Sequence, residues 1–358
     1  MNSLIARLTR FAALLAGHAE VALAVLVMGI VFMMILPLPT PLVDGLIGLN
    51  LCTSILLVVF SLYLPGPLAF STLPAIILIT TIFRLGISVS TTRLILLQGD
   101  AGDIVEAFGN FVVGGNFAVG MVIFLILVVV QFLVITKGAE RVAEVSARFA
   151  LDAMPGKQLS IDSDLRSGLL TSNEARKKRL DLAQESKLYG AMDGAMKFVK
   201  GDAIASLVIV FVNLVGGLSI GILQQGMQAG AAIKLYSVLT IGDGLVSQIP
   251  ALLIALTAGV VITRVTPDLA PGEVPPNLGH DIADQLTRQP RAWGVAGVTM
   301  FGFAWIPGMP TVVFLLISGV IGTVFGRQYW KQRKEPKADY FQPVADQRGF
   351  IPVRPYLL

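Results

Sequence analysis

The chain is 358 residues long, 54% hydrophobic and only 14% charged, with a formal net charge of +4. A soluble domain of this size carries about 25% charged residues. Here charge is nearly absent from several runs of about 20 residues, the length that crosses a hydrocarbon core roughly 30 Å thick. An ordinary soluble domain is thereby excluded, and continuous apolar runs in place of alternating segments exclude a β-barrel. The fold class is all-α, a polytopic helical membrane protein. Cys52 is the single cysteine and sits in an apolar run, so no intrachain disulfide or cysteine metal cluster can form. The positive charge collects in one-sided loops, which indicates membrane orientation and not nucleic-acid binding.

Eight spans are predicted in chain order. Arg7 and Arg10 precede an apolar run at 21–36, the layout of an uncleaved signal anchor because further spans follow. The first span, 19–36, ends at the proline cluster PLPTP, and the second, 43–64, ends at Pro65-Gly66-Pro67. The third, 68–97, is too long for the core without tilt or breakage, and with Pro74, Gly86 and the run Ser88, Ser90, Thr91, Thr92 a broken or steeply tilted helix is predicted. The fourth covers 111–136. A polar loop, 137–200, follows, with an amphipathic start, a turn at Pro155-Gly156-Lys157-Gln158, and a helix opened by a Thr171/Glu174 capping box. The fifth span is 202–223 and the sixth 235–263, and a close pair follows at 292–306 and 310–325.

The domain plan is therefore 1–136 with four spans, a small lobe at 137–200, four further spans within 201–326, and a linker at 327–358. With eight crossings the basic segments (Arg7 and Arg10; the loop; Arg264, Arg288 and Arg291; the tail from Arg327) all fall on the cytoplasmic side. The opposite loops carry Asp44, Asp100, Asp103 and Glu106. Both termini are then cytoplasmic.

Few residues carry chemistry. No nucleophile, phosphate loop, cofactor motif or metal constellation stands out, and His18 and His280 are the two histidines, so an enzyme is not expected. Asp202 opens the fifth span, where it is either a helix N-cap or a proton-accepting site. Lys197 and Lys200 flank it, as orientation-setting lysines or as bases that hold it ionised. Arg84 and Arg93 lie within the third span, where an arginine costs about 2.5–3.5 kcal/mol on insertion scales. Nine residues apart, they face opposite sides of a straight helix. Arg93 is expected to reach headgroups. Arg84 is expected to form an intersubunit or interior ion pair, with Asp243 one possible partner. Asp243, between Gly242 and Gly244, is either a cap at a helix break or a functional acid.

The strings PLPTPLVDGLIGLN, ITTIFRLGISVSTTRLILLQGDAGDIVEAFGNFVVGG, VVQFLVITKGAERVAEVSARFALDAMPGKQLSIDSDLRSG, ESKLYGAMDGAMKFVKGDAIA and YSVLTIGDGLVSQIPALLIALTAGVVITR resemble the export-gate (FHIPEP) family of flagellar and virulence type III secretion systems. The resemblance covers residues 20 to 330 in order and is closer to the injectisome branch. It implies an inner-membrane homo-oligomeric ring of about nine subunits that couples proton motive force to export of unfolded proteins. It also implies partners: other export-apparatus membrane proteins, the export ATPase complex and stalk, membrane lipids, and chaperone–substrate complexes received by a large C-terminal domain. That domain lies beyond Leu358 in this reading. Asp202 matches the position thought to couple proton flow to export. Asp162 and Asp164 become candidates for relaying movement from the proton site, with Asp152, Lys157, Glu185 and Asp193 secondary. The alternatives are a scaffold ring without proton chemistry and a stand-alone ion-coupled transporter, which would predict an internal repeat.

Overall fold

The computed structural model describes residues 19–264, 278–287, 289–306 and 310–334. Arg7, Arg10, His18, Arg288 and the linker from 335 onward lie outside them. Every regular element among the described residues is helical. In order these are α1 (Ala19–Ile35), α2 (Thr40–Tyr63), a 3₁₀ turn (Pro67–Phe70), α3 (Leu73–Gln98), α4 (Asp103–Val113) and α5 (Phe117–Leu133). A π-helical turn (Val134–Ala139) leads into α6 (Glu140–Arg166), and then α7 (Ser172–Ser219) is closed by a second π turn (Ile220–Gln224). The chain continues with α8 (Ala229–Thr263), α9 (Leu278–Thr287), α10 (Pro290–Phe303) and α11 (Thr311–Lys334).

Among the described residues, five helical stretches are long and apolar enough to cross a membrane: α2, α3, α5 with its continuation into α6, α7, and α8. Two further apolar stretches are shorter, Glu20–Ile35 and Thr311–Arg327. The seventh predicted span falls on α10, whose 14 residues extend only about 21 Å.

Two compact units divide the chain, one up to Leu278 and one from Gly279. In the second, α10 and α11 form a hairpin in which Gly294 faces Phe325, Gly297 faces Ile321, and Ser318 Oγ donates to the Gly297 carbonyl at 3.0 Å. In the first, α8 is the central helix, touched by α2, α3, α4, α5, α6 and α7. Every residue from Tyr236 to Ser247 is buried. The outward faces of the surrounding helices are apolar, with Val25, Ile35, Phe60 and Phe211 all more than half exposed. Each such side chain favours hydrocarbon over water by about 1.5–3 kcal/mol, so this surface suits lipid.

Several local expectations are corrected. The third span is not broken at Gly86: α3 is continuous, because Pro74 occupies its first turn, where no backbone donor is needed. Gly86 instead gives room for Ile30 and Met33 of α1. The excess length is removed earlier, by the separate turn at Pro67–Phe70. The fourth span begins at Phe117, because Gly114 and Gly115 take positive φ and fold the chain into the α4–α5 corner. Asp103 and Glu106 are therefore in the first turn of α4 and not in a loop. The carboxylate of Asp44 caps that turn, accepting from the backbone of Asp103 and Ile104 at 3.1 Å each.

Nor is Pro155-Gly156-Lys157-Gln158 a turn. α6 runs straight through it, and the exposed surface there lets water take the carbonyl that the proline leaves free. The reversal comes at Gly168, with φ of 77°, and α7 then opens on the Thr171/Glu174 capping box.

The α4–α8 crossing is backbone against backbone. A Cβ on Gly242 would overlap the Val105 carbonyl, and one on Gly109 would overlap that of Val238. Small residues at such crossings let helices approach closely in a membrane. Gly242→Ala is expected to lower stability by about 1–3 kcal/mol, seen as a lower Tm in detergent. Gly259→Ala on the same helix, where a Cβ meets nothing, should be neutral or stabilising.

Candidate functional site

Two polar layers cross the interior of the first unit. The lower one joins α3 to α7: the Arg84 guanidinium donates to the carboxylate of Asp202, and the two side chains are each only 2% exposed. Asp202 is thus not a helix cap. It lies 30 residues inside α7, which starts at Ser172, because the charged loop helix and the fifth span are one continuous helix. The partner of Arg84 is Asp202 and not Asp243.

Taking two charges out of water costs several kcal/mol per ion, which mutual attraction returns only with good geometry and further hydrogen bonds. That return is incomplete here. Arg84 Nε and Nη1 and Asp202 Oδ1 are buried without a hydrogen-bond partner among the described residues.

The upper layer joins three helices. Asp243 of α8 accepts from Thr91 Oγ1 of α3 at 2.5 Å and from Asn213 Nδ2 of α7 at 3.0 Å. All three are buried at 3% exposure or less. Asp243 is interior to an unbroken α8, so it caps no helix break; Gly242 and Gly244 serve close packing against Val105 and Phe124.

Register explains the layering. Thr91 is seven residues beyond Arg84 and Asn213 eleven beyond Asp202, so each pair shares a helix face, at about 10 and 16 Å separation along the axis. Since Arg84 meets Asp202 and Thr91 meets the Asp243–Asn213 group, α3 and α7 run parallel and α8 opposes them. Asn213 was missed in the sequence. Its signal was a lone amide in SLVIVFVNLVGG at helical spacing from Asp202.

The flanking bases go elsewhere. Lys200 Nζ grips both carboxylate oxygens of Glu140, at 3.0 and 2.9 Å, and Lys197 pairs with Asp193 one turn away at 2.8 Å. Neither touches Asp202. Glu140 is the first residue of α6, directly after the π turn, so the Lys200 clamp ties the α6 entry to the stretch of α7 that carries Asp202. Arg93 donates to the carbonyls of Ile35 and Met34 at 2.7 and 2.9 Å, closing the C-terminal end of α1. This satisfies carbonyls that a helix end leaves open.

The remaining candidates lie on the α6–α7 hairpin. Asp162 is helical, not in a turn, and pairs with Arg179 across the hairpin, as Lys157 does with Glu185 at 3.2 Å. The carbonyl of Asp164 accepts from Leu169 and Leu170 at the reversal. Asp152 is exposed on α6. Exposed pairs of this kind contribute about 0–1 kcal/mol each, so the hairpin is held mainly by its apolar seam of Ile161, Ala175 and Leu182.

Chemically, each layer holds a carboxyl group, able to bind or release a proton, among buried hydrogen-bond donors. Among known proteins, the harpin secretion protein HrpI of Erwinia amylovora is 61% identical over all of this chain and 52% of its own length. The low calcium response locus protein D of Yersinia pestis is 56% identical over 89% of this chain and 44% of its own length. The invasion protein InvA of Salmonella typhimurium is 50% identical over 89% and 45%. The chain spans about half the length of these curated relatives. No solved structure matches it. Residues 30–348 match the FHIPEP family, and the chain belongs to that family.

Proposed function

We propose that the chain is the membrane half of the export gate of a type III protein secretion system, with Asp202 as the group whose protonation drives movement. The observation that carries this is the Arg84–Asp202 pair itself: an arginine and an aspartate, both buried in a bundle of apolar helices, with three polar atoms left unsatisfied. Ionisable groups at such depth are expensive and mark ion or proton pathways. Protonating Asp202 removes the counter-ion of Arg84 and leaves a buried charge alone, a state the bundle relieves by separating α3 from α7 or admitting water. α7 is one helix from Ser172 to Ser219, so a shift at Asp202 reaches the α6–α7 hairpin directly. The Lys200–Glu140 clamp carries α6 along, and the apolar seam of Ile161, Ala175 and Leu182, with the pairs Asp162–Arg179 and Lys157–Glu185 beside it, holds the hairpin together.

In this account eight spans place both termini and the hairpin on the cytoplasmic side of the inner membrane. Copies of the chain form a ring, of about nine subunits by resemblance, among the other export-apparatus membrane proteins. The export ATPase complex, its stalk and chaperone–substrate complexes engage the portion of the full-length protein beyond this chain. A purely structural ring would use the same ion pair as a staple. The burial of a titratable aspartate against an arginine among apolar helices favours the titrating role, because a pure staple is made as well or better by apolar side chains.

Secretion into the medium by cells carrying full-length protein with Asp202→Asn tests this. Loss of secretion with membrane insertion and ring assembly intact is the expected result, and normal secretion would assign Asp202 to the scaffold.

A further inference from the structure

The α6–α7 hairpin spends one side of each helix on its own seam, where Met154 and Ile161 of α6 meet Ala175 and Leu182 of α7. On the far side of α6, about half a turn round, stand Phe149, Asp152 and Leu159; on the far side of α7 stand Leu180, Lys187 and Phe198. All six are exposed. Phe149 and Leu159 are each 70% exposed and Leu180 55%, a large apolar payload for the two outer edges of a charged hairpin. Lipid does not cover it. Leu159 lies about 39 Å along the helix from the end of α5 at Leu133, well past the headgroup layer. The charges on these edges are open as well. Arg141 and Arg148 of α6 are drawn to Glu144, whereas neither Asp152 nor Lys187 has an ion-pair partner among the described residues. The cross-hairpin pairs Lys157–Glu185, Asp162–Arg179 and Glu140–Lys200 fix how α6 and α7 run past each other. By that register Asp152 lies within about two residues, roughly 3 Å along the axis, of the level of Lys187. Leu159 is as near the level of Leu180, and Val142 nearer still to that of Phe198.

We propose that the outer edge of α6 in one copy of the chain docks on the outer edge of α7 in the next, with Asp152 pairing with Lys187, Leu159 packing on Leu180 and Val142 on Phe198. The inference rests on the proposed ring of copies. Copies in a membrane ring are related by rotation about the membrane normal, so each residue keeps one depth in all of them. Only residues level with one another then meet across the contact. Along these two edges acid is level with base and apolar with apolar, at three successive steps. The edges are different surfaces on opposite sides of the hairpin, so the contact is head to tail, the kind that closes into a ring. Two α6 edges facing each other would instead set Asp152 against Asp152. Exposed ion pairs are weak, so the leucine, valine and phenylalanine side chains supply most of the adhesion and the Asp152–Lys187 pair sets direction and register. A shift of α7 in one copy is thereby handed to α6 of its neighbour.

The test is disulfide cross-linking, with a thiol oxidant added to membranes of cells carrying full-length protein whose native cysteines, Cys52 included, are replaced by serine. Asp152→Cys with Lys187→Cys in one chain is expected to give a ladder of oligomers on a denaturing gel, because the two positions lie on opposite edges and cannot bridge within a copy. Leu159→Cys with Leu180→Cys, which leaves both charges in place, should give the same ladder. Each single variant should stay monomeric, as should Asp152→Cys with Lys177→Cys, whose second position is about 15 Å further along α7 than Lys187. Native gels of the same membranes report the ring independently. Intact rings with no ladder from either level pair overturn the hairpin contact and leave the ring standing. A dimer from Asp152→Cys alone, or an equal ladder from the Lys177 pair, overturns the contact as well. Membranes without rings overturn both.

Discussion

Arg84→Ala is expected to cost the bundle roughly 3–5 kcal/mol, the usual penalty for leaving one member of a buried ion pair alone. Asp202→Ala should cost a similar amount. The replacement of both, Arg84→Met with Asp202→Leu, behaves differently: no uncompensated charge remains, and the protein should recover most of the loss or exceed wild type by about 1–4 kcal/mol. Unfolding in mixed detergent micelles gives the three values. The same double variant separates structure from function. It should insert and assemble, and yet secrete nothing, because neither leucine nor methionine exchanges a proton. Normal secretion by the apolar pair would make the charges a staple.

Thr91→Val with Asn213→Leu removes both partners of Asp243 and is expected to destabilise by about 1.5–3 kcal/mol for each hydrogen bond lost to a charged group. The two effects should not add fully, since both substitutions act on one carboxylate. Adding Asp243→Leu should then restore stability, because a cavity-free apolar layer replaces an orphaned acid. If the triple variant is no more stable than the double, the Asp243 layer is held by packing and not by its hydrogen bonds.

The helical class and the identity of both buried acids were legible in the sequence, because charge inside an apolar run needs no coordinates to stand out. Their partners were not. Asp202 looks like a cap when the apolar run is taken to begin at residue 202; that α7 had begun thirty residues earlier depends on the charged stretch staying helical, which nothing in the apolar pattern reveals. With Asp202 at a mouth, Arg84 was matched to the deeper Asp243. Once α7 is continuous, its register puts Asp202 at the level of Arg84 and Asn213 at the level of Asp243. Pro155 misled for a related reason, since a proline on an exposed face loses one hydrogen bond to water and need not end a helix. The Glu140–Lys200 clamp joins residues sixty apart and follows only from the α6–α7 reversal at Gly168. Arg93 was placed on the correct opposite face from Arg84, but its partners are carbonyls of α1, which no side-chain pattern announces.

In the proposed role the Asp202 carboxyl gains and loses a proton during export. Isotope-edited infrared difference spectroscopy of the full-length protein in liposomes, stepping the pH across the membrane, observes this directly. The account predicts a protonated-carboxyl band that appears on acidification, vanishes in Asp202→Asn and persists in Asp243→Asn. A carboxylate that stays ionised across the whole pH range in which cells secrete would contradict it.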